Sequence, residues 1–325
     1  MEISLNAWLD GFRARDRRIL SRALSAAENN PSEILPFLAQ HFSSVTEKQR
    51  PLTIGVTGLP GAGKSTLLDL ILQILLNQHM RVAVISVDPS SPFSGGALLG
   101  DRIRLDRHFT HPLVYIRSLA TRGALGGLTY ATPLVLGCLT AFGFDVLFFE
   151  TVGVGQNEVD IKEIVDQTWV VLPPYSGDGV QFLKAGLLEI ADLFILTKSD
   201  VGDADRMERE LQTLLGFSKQ TNVPILKGSA LGTAPPEGMS FGERIWQASQ
   251  ERWTQLSDAD KKNEQKQREG AWVRHRMHKA AIDLADDYLK KTPVHLTSPF
   301  TYLLEHAPTK LICSNLTKAT ERLDS

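Results

Sequence analysis

The chain has few of the features that mark secreted or nucleic-acid-binding proteins. Its 325 residues include two cysteines, Cys138 and Cys313, too few for a disulfide framework. Cys138 lies in an apolar stretch, where a small core residue is expected. The formal net charge is -2, so no general basic excess exists to meet nucleic-acid phosphates. We therefore expect a protein that binds no nucleic acid.

Long apolar runs are also missing. No stretch approaches the roughly 20 apolar residues that a membrane-spanning helix needs. The segment Met1–Leu5 lacks a basic region followed by an apolar core, which is the pattern of a secretory signal. We expect a cytoplasmic protein with no membrane partner.

One loop, Gly58–Ser65, reads GLPGAGKS. An apolar run precedes it and an apolar pattern of helical spacing follows it, so the order is strand, glycine-rich turn and helix. Glycines let backbone N–H groups point at an anion, and the helix N-terminus adds its dipole. In such a loop Lys64 contacts the β- and γ-phosphates and Ser65 offers its hydroxyl to Mg²⁺. A glycine turn with a chance lysine is the alternative, but the complete GxxxxGKS pattern in this context favours nucleotide binding.

The region around this loop alternates between apolar runs and stretches of helical length. Most of the runs are continuously apolar, as in parallel strands that are buried on both faces. The expected fold is α/β, a P-loop NTPase with a mostly parallel central sheet flanked by helices and with helical extensions at both ends. The predicted strands are Leu52–Thr57, Val82–Val87, Leu113–Ile116, Val146–Glu150, Trp169–Leu172, Leu193–Thr197 and Val223–Leu226. The predicted helices between them are Ser65–Gln78, Thr132–Phe142, Val180–Ala191 and Ala204–Leu215.

Two carboxylates end predicted strands of this region. Asp88 follows the second strand, where it can approach the γ-phosphate and the Mg²⁺ shell; a strand-end aspartate is elsewhere more often a helix cap. Glu150 ends a buried run, the position of a carboxylate that contacts Mg²⁺, usually through water. A solvated strand end is the alternative, which four preceding apolar residues disfavour. Gly153 would let the backbone approach and sense the γ-phosphate.

The segment Thr197–Asp200 reads TKSD and predicts a preference for guanine. Asp200 can accept both N1–H and the exocyclic amine of guanine, a pair that adenine does not offer, and Lys198 would lie along the base plane. A backbone N–H of Ser229–Leu231 can reach guanine O6. GTP and GDP are the expected ligands. The predicted nucleotide-binding residues are Gly58, Leu59, Pro60, Gly61, Ala62, Gly63, Lys64, Ser65, Thr66, Gly153, Thr197, Lys198, Asp200, Ser229, Ala230 and Leu231.

The chain divides into three predicted parts. Residues 1–48 form an N-terminal helical extension, 49–235 a P-loop GTPase domain, and 236–325 a C-terminal helical region. In the last part, the apolar positions between Trp272 and Tyr288 form a stripe of helical spacing. Such a stripe packs either on its own domain or on a second copy, and the spacing does not decide between them.

Taken together, several segments resemble the MeaB/ArgK family of G-proteins, which includes the methylmalonic aciduria type A proteins. Glu150–Gln156 and Gly95–Arg102 are specific to this family among P-loop proteins, whereas the phosphate loop alone is not. The likeness extends over roughly residues 10–290. The matching segments are Gly58–Thr66, Val87–Pro92, Gly95–Arg102, Arg117–Gly127, Glu150–Glu158 and Ser176–Asp178.

The resemblance implies a Mg²⁺-dependent GTPase that is the chaperone of a cobalamin-dependent acyl-CoA mutase of the methylmalonyl-CoA mutase type, gating cofactor delivery and protecting the mutase. It also implies a homodimer formed through a C-terminal arm, so the apolar stripe is expected to pack on a second copy of the chain. Mg²⁺ would be held by Ser65, Asp88, Asp101 and Glu150. The first switch would contain Asp101, 150–158 the second, and 176–184 a third mobile segment that couples to the mutase. Together the motifs and the resemblance give Lys64, Asp88, Asp101 and Glu150 as catalytic candidates, with Asp88 positioning water.

Two departures from the family pattern bear on activity. Thr197 stands where the family has asparagine, so one amide contact is lost while Asp200 keeps the guanine preference. Val154, not glutamine, follows Gly153, and no arginine finger is evident. We therefore expect slow intrinsic turnover that a partner accelerates.

Three other classes of function remain open at this point. A kinase of a transport protein would transfer phosphate to protein. A metal-delivery GTPase would need a Cys/His cluster, and His275 and His278 do not complete a site. A non-catalytic scaffold is the third.

Overall fold

The computed structural model describes residues 3–42, 50–88, 105–120, 131–151, 161–174, 186–217, 223–232, 238–256 and 260–261. The chain separates into two compact units, Met1–His275 and Arg276–Ser325, and all the described residues belong to the first. The apolar stripe between Trp272 and Tyr288 therefore lies outside the described residues.

The described residues contain a seven-stranded sheet in which every neighbouring pair of strands is parallel. Its order is β3-β2-β4-β1-β5-β6-β7. The central strand β1 therefore has β2, β3 and β4 on one side, and β5, β6 and β7 on the other. Ligands of such sheets bind where the order reverses, at the carboxyl ends of the strands. The strands are β1 Leu52–Gly58, β2 Val82–Asp88, β3 Val114–Ala120, β4 Val146–Thr151, β5 Gln167–Leu172, β6 Leu193–Leu196 and β7 Ile225–Lys227.

Helices cover both faces of the sheet. On one face, alternate strand residues such as Phe149 and Phe194 share a core with α1, α2, α3, α5 and α6. On the other, Phe148 and Trp169 pack with α4 and α7. The helices are α1 Leu5–Arg13, α2 Arg17–Asn29, α3 Pro31–Phe42, α4 Lys64–Asn77, α5 Thr132–Phe142, α6 Ala204–Gly216 and α7 Phe241–Gln255, with a short helical turn at Leu188–Ile190.

Local sequence explains where several helices begin. The Ser4 hydroxyl accepts from the Ala7 N–H at the start of α1, and an Asp16 carboxylate oxygen accepts from the Arg18 N–H at the start of α2. Pro31 opens α3, because the first helical position needs no N–H donor. None of the described helices is long and apolar enough to cross a bilayer.

The N-terminal helices are attached to the edge strand β3. The Arg17 guanidinium donates to the carbonyl oxygens of His111 and Val114, at 3.1 and 2.6 Å. Arg117, on β3, donates to the Ser21 carbonyl at 2.9 Å and pairs with Glu28. Two arginine side chains therefore link α2 to this edge of the sheet.

The α/β prediction is confirmed, and most predicted elements agree within two residues. The largest difference is β3, which continues past Ile116 to Ala120. Arg117 interrupts the apolar pattern there because it bonds to α2 rather than entering the core. Within the predicted helix Val180–Ala191, the described residues 186–190 are helical, and Leu188–Ile190 is their α-helical turn.

Candidate nucleotide site

The phosphate loop joins β1 to α4, at the middle of the sheet. Gly61 and Gly63 have φ of +74° and +92°, a backbone conformation that residues with a side chain rarely adopt. Gly58 also has a positive φ, of +131°, and has a further reason to be glycine, since a Cβ there would lie 2.0 Å from the Val171 carbonyl oxygen of β5. The loop's first glycine is therefore required by the close approach of a neighbouring strand.

The Lys64 side chain is buried against the phosphate loop. Its Nζ donates to the carbonyl oxygens of Gly58 and Leu59, at 2.8 and 3.1 Å. The side chain is only 8% exposed, so its positive charge is held in a partly desolvated position. A charge in such a position acts more strongly on an anion than a charge in water does.

A buried hydrogen bond joins the start of α4 to the end of β4. The Ser65 hydroxyl donates to Oε1 of Glu150 at 2.8 Å, and both side chains are 4% exposed. A buried carboxylate needs such partners, because an ionised group is costly to remove from water. The structure thus brings together two of the four residues that were predicted to hold Mg²⁺.

These two residues fit a hard divalent cation. A hydroxyl and a carboxylate are the oxygen donors that Mg²⁺ takes from protein, with phosphates and waters completing its shell. Among the described residues there is no group of three or more His, Cys, Asp or Glu side chains suited to a metal. Mg²⁺ does not require such a group when the nucleotide supplies ligands.

Two further polar contacts at this edge were not predicted. The Ser86 hydroxyl, on β2, lies 3.5 Å from Oε2 of Glu150, so hydroxyls approach both carboxylate oxygens. The hydroxyl of Thr151 donates to that of Thr57 at 3.0 Å, between β4 and β1. Ser86 lies opposite Glu150 in the register of β2 and β4. This contact can be predicted only when the order of the strands is known.

The segment after β6 is attached directly to the phosphate loop. The Thr197 hydroxyl donates to the Ala62 carbonyl oxygen at 2.5 Å, and its oxygen lies 3.3 Å from the Leu172 carbonyl oxygen. Lys198 Nζ donates to the Gly61 carbonyl at 2.8 Å. The predicted base-recognition segment and the phosphate loop therefore form one connected structure.

The loop after β7 lies beside the same segment. The Gly228 N–H donates to the Leu196 carbonyl at 2.9 Å, and the Ser199 N–H donates to the Gly228 carbonyl at 3.3 Å. Asp200 is exposed, and Leu231 is 84% exposed. The fold thus brings the loops that contain Thr197–Asp200 and Ser229–Leu231 next to each other.

Other predicted residues cannot be placed in the same way. The backbone of Asp88 ends β2, opposite Ala120 and one residue beyond the Val87–Thr151 pair, at the edge that holds the loop. Its side chain lies outside the described part, as do Asp101 and Gly153. Of the predicted switch segments, only Glu150 and Thr151, at the start of 150–158, belong to the described residues.

A parallel sheet of this order, with a GxxxxGKS loop between its central strand and a helix, defines a P-loop nucleotide hydrolase. The profile of the family described as "Methylmalonyl Co-A mutase-associated GTPase MeaB" matches residues 20–288. The chain belongs to this family and is a GTPase, which hydrolyses GTP. The predicted family and enzyme class are both confirmed.

Individual relatives agree with the family assignment. The chain is 45% identical over 233 residues to a Pyrococcus horikoshii protein that is named as a GTPase. The match covers 70% of this chain and 69% of that one. The chain is 38% identical over 207 residues to the mouse "Methylmalonic aciduria type A homolog, mitochondrial", covering 60% and 50% of the two chains.

A solved structure supports the fold independently. The crystal structure of a LAO/AO transport system kinase superposes with a TM-score of 0.66 at 24% identity, covering 99% of this chain and 98% of that one. At this identity the likeness concerns the fold alone.

Proposed function

We propose that this protein is a Mg²⁺-dependent GTPase that is the chaperone of a cobalamin-dependent acyl-CoA mutase of the methylmalonyl-CoA mutase type. The buried Ser65–Glu150 hydrogen bond is the observation that carries the nucleotide site. The mutase as partner rests on the family's description and on the name of the mouse relative. In this proposal the protein gates delivery of the cobalamin cofactor and protects the mutase.

The proposed chemistry is in-line attack of water on the γ-phosphate. Lys64 and the N–H groups of the loop stabilise the charge that develops there. Ser65 and Glu150 would hold Mg²⁺ with Asp88 and Asp101, and the bound ion would neutralise phosphate charge. We assign Asp88 to positioning the water. Gly153 is assigned to contact with the γ-phosphate.

Guanine recognition is assigned to the two loops beside the phosphate loop. Asp200 would accept from N1–H and the exocyclic amine of the base, with Lys198 along the ring. The Leu231 N–H already donates to the Ser229 hydroxyl at 3.3 Å, so we assign the Ala230 N–H to guanine O6. This arrangement leaves adenine with unpaired polar groups, which lowers its affinity.

The proposed assembly is a homodimer through the C-terminal helical region 236–325, whose first described helix, α7, packs on the sheet of the GTPase domain 49–235. Slow intrinsic turnover, raised by a partner, follows from Val154 after Gly153 and the lack of an evident arginine finger. In this proposal the mutase senses whether the γ-phosphate is bound, so GTP hydrolysis sets how long the two proteins stay associated.

The test is a pulldown of methylmalonyl-CoA mutase by the full-length chain with GDP, GTP or a non-hydrolysable GTP analogue. We expect association whose strength depends on the nucleotide, and Lys64→Ala should remove that dependence. Lys227→Ala is the matched control, because that lysine bonds to Asp205 and Glu208 on α6, away from the loop. No association in any nucleotide state would reject the mutase as partner.

The same preparation addresses the alternatives. With γ-labelled GTP the label should appear in inorganic phosphate and not on a transport protein, which separates a GTPase from a kinase. The described residues offer no His/Cys cluster to favour metal delivery.

A further inference from the structure

The Thr197 side chain is enclosed between the sheet and the phosphate loop. It is 1% exposed, and its backbone N–H donates to the Leu172 carbonyl at 3.0 Å. Its hydroxyl lies 2.5 Å from the Ala62 carbonyl oxygen and 3.3 Å from that of Leu172. Both neighbours are acceptors, so the hydroxyl can only be the donor toward either of them.

A hydroxyl has one proton to donate. Here that proton points at a backbone carbonyl, with the shorter distance to Ala62. Toward a base, the hydroxyl oxygen can therefore act only as a hydrogen-bond acceptor, through its lone pairs. Guanine presents acceptors, N7 and O6, on its major-groove edge, so lone pairs there gain nothing.

An asparagine at this position would behave differently. Its amide carries two N–H donors, so one can hold a loop carbonyl while the other donates to the base. Threonine can do only the first of these. The neighbouring contact from Lys198 to the Gly61 carbonyl helps hold the same loop.

We propose that Thr197 is a positioning residue that fixes the base segment to the phosphate loop, and that this protein does not read N7 of guanine. It should therefore accept guanine nucleotides whose N7 cannot accept a hydrogen bond. This inference rests on the proposed assignment of Thr197–Asp200 to the base. Guanine specificity then depends on the Watson–Crick edge, which faces Asp200.

The experiment compares the affinities of GTP and 7-deaza-GTP, which has carbon in place of N7, using the full-length chain. The wild type should bind them equally, within twofold. Thr197→Asn, which adds the second donor, should prefer GTP by roughly fivefold, as expected for one neutral hydrogen bond. Thr197→Val, which removes the proton, should weaken both nucleotides and leave their ratio near one.

A clear wild-type preference for GTP overturns the inference without any variant being needed. An unchanged ratio in Thr197→Asn, or a changed ratio in Thr197→Val, does so as well. Undiminished affinity in Thr197→Val would overturn the positioning role. Thermal melting establishes that each variant is folded.

Asp200→Asn separates this inference from the proposed function. An amide at this position complements xanthine, which has N1–H and a carbonyl where guanine has an amine. The variant should therefore prefer XTP to GTP. If it does not, the assignment of the base to this segment is wrong and the inference falls with it. If it does, the 7-deaza-GTP result judges the role of Thr197 alone.

Discussion

At the scale of single residues, the site depends on polar groups that are removed from water. Lys64, Ser65 and Glu150 are each less than a tenth exposed, and each bonds to a partner at the carboxyl edge of the sheet. Groups held this way need little reorganisation when a charged ligand binds. Substitutions here should change nucleotide chemistry far more than stability.

Lys64→Ala should lower the rate of GTP hydrolysis by at least about a hundredfold, because a preorganised charge is lost from the phosphate loop. Phosphate release under saturating GTP measures this, with Lys227→Ala as the matched control. Hydrolysis within a few fold of the wild type would show that the loop is not the catalytic centre.

Glu150→Gln should raise the Mg²⁺ concentration that half-saturates nucleotide binding by roughly tenfold, since the amide keeps an acceptor for Ser65 but loses the charge. A titration with a fluorescent guanine nucleotide measures this without turnover. Ser86→Ala, which removes only the contact at 3.5 Å, should shift the titration less. Equal shifts would mean that the charge of Glu150 is not what matters.

Cys138 should resist thiol reagents in the folded protein. Burial raises the pKa of its thiol from 9.0 to about 12, so the thiolate is scarce at neutral pH. Because the unfolded thiol ionises first, this group's contribution to stability is complete below pH 9.0 and is lost as the pH rises toward 12. Iodoacetamide labelling of a Cys313→Ser chain should require denaturant, and rapid native labelling would contradict the burial.

At the scale of elements, the strands and helices were predictable and the contacts between them were not. Continuous apolar runs marked β4, β5 and β6, because a strand buried on both faces leaves no polar alternation. The bond from Thr197 to Ala62 joins residues 135 positions apart, so it follows from strand order and register, which single segments do not encode. Ser86 beside Glu150 was missed for the same reason.

The phosphate loop allows a matched comparison of two glycines. Gly58→Ala combines an unfavourable φ of +131° with a Cβ 2.0 Å from the Val171 carbonyl, and should destabilise the fold by roughly 3 kcal/mol or more. Gly61→Ala meets no atom within 4 Å, so only its φ of +74° is unfavourable, at about 1 kcal/mol. Urea unfolding measures both values. Similar losses would mean that β5 does not constrain the loop.

At the scale of the whole molecule, the N-terminal helices and the sheet are one structure. The amphipathic pattern of α1 and α2 showed that a face is buried, but not against what. In the structure these helices share a core with the sheet and bond to its edge strand. Their loss should therefore weaken the GTPase core itself.

Arg117→Ala should destabilise the protein by about 1–3 kcal/mol, because it leaves Glu28 largely buried without this partner. Arg206→Ala is the control, since its pair with Glu210 lies at the surface, where a pair contributes little. Denaturant unfolding compares them. An equal effect of the two substitutions would show that α2 is not held to β3 through this contact.

The bond between Arg17 and the Val114 carbonyl also has a consequence for the order of synthesis. Its two residues are 97 positions apart. At ordinary elongation rates, roughly 5 to 20 seconds separate their appearance. During that interval the apolar faces of α1 and α2 have no sheet to pack on, so chaperones and proteases can reach these two helices while the chain is still on the ribosome.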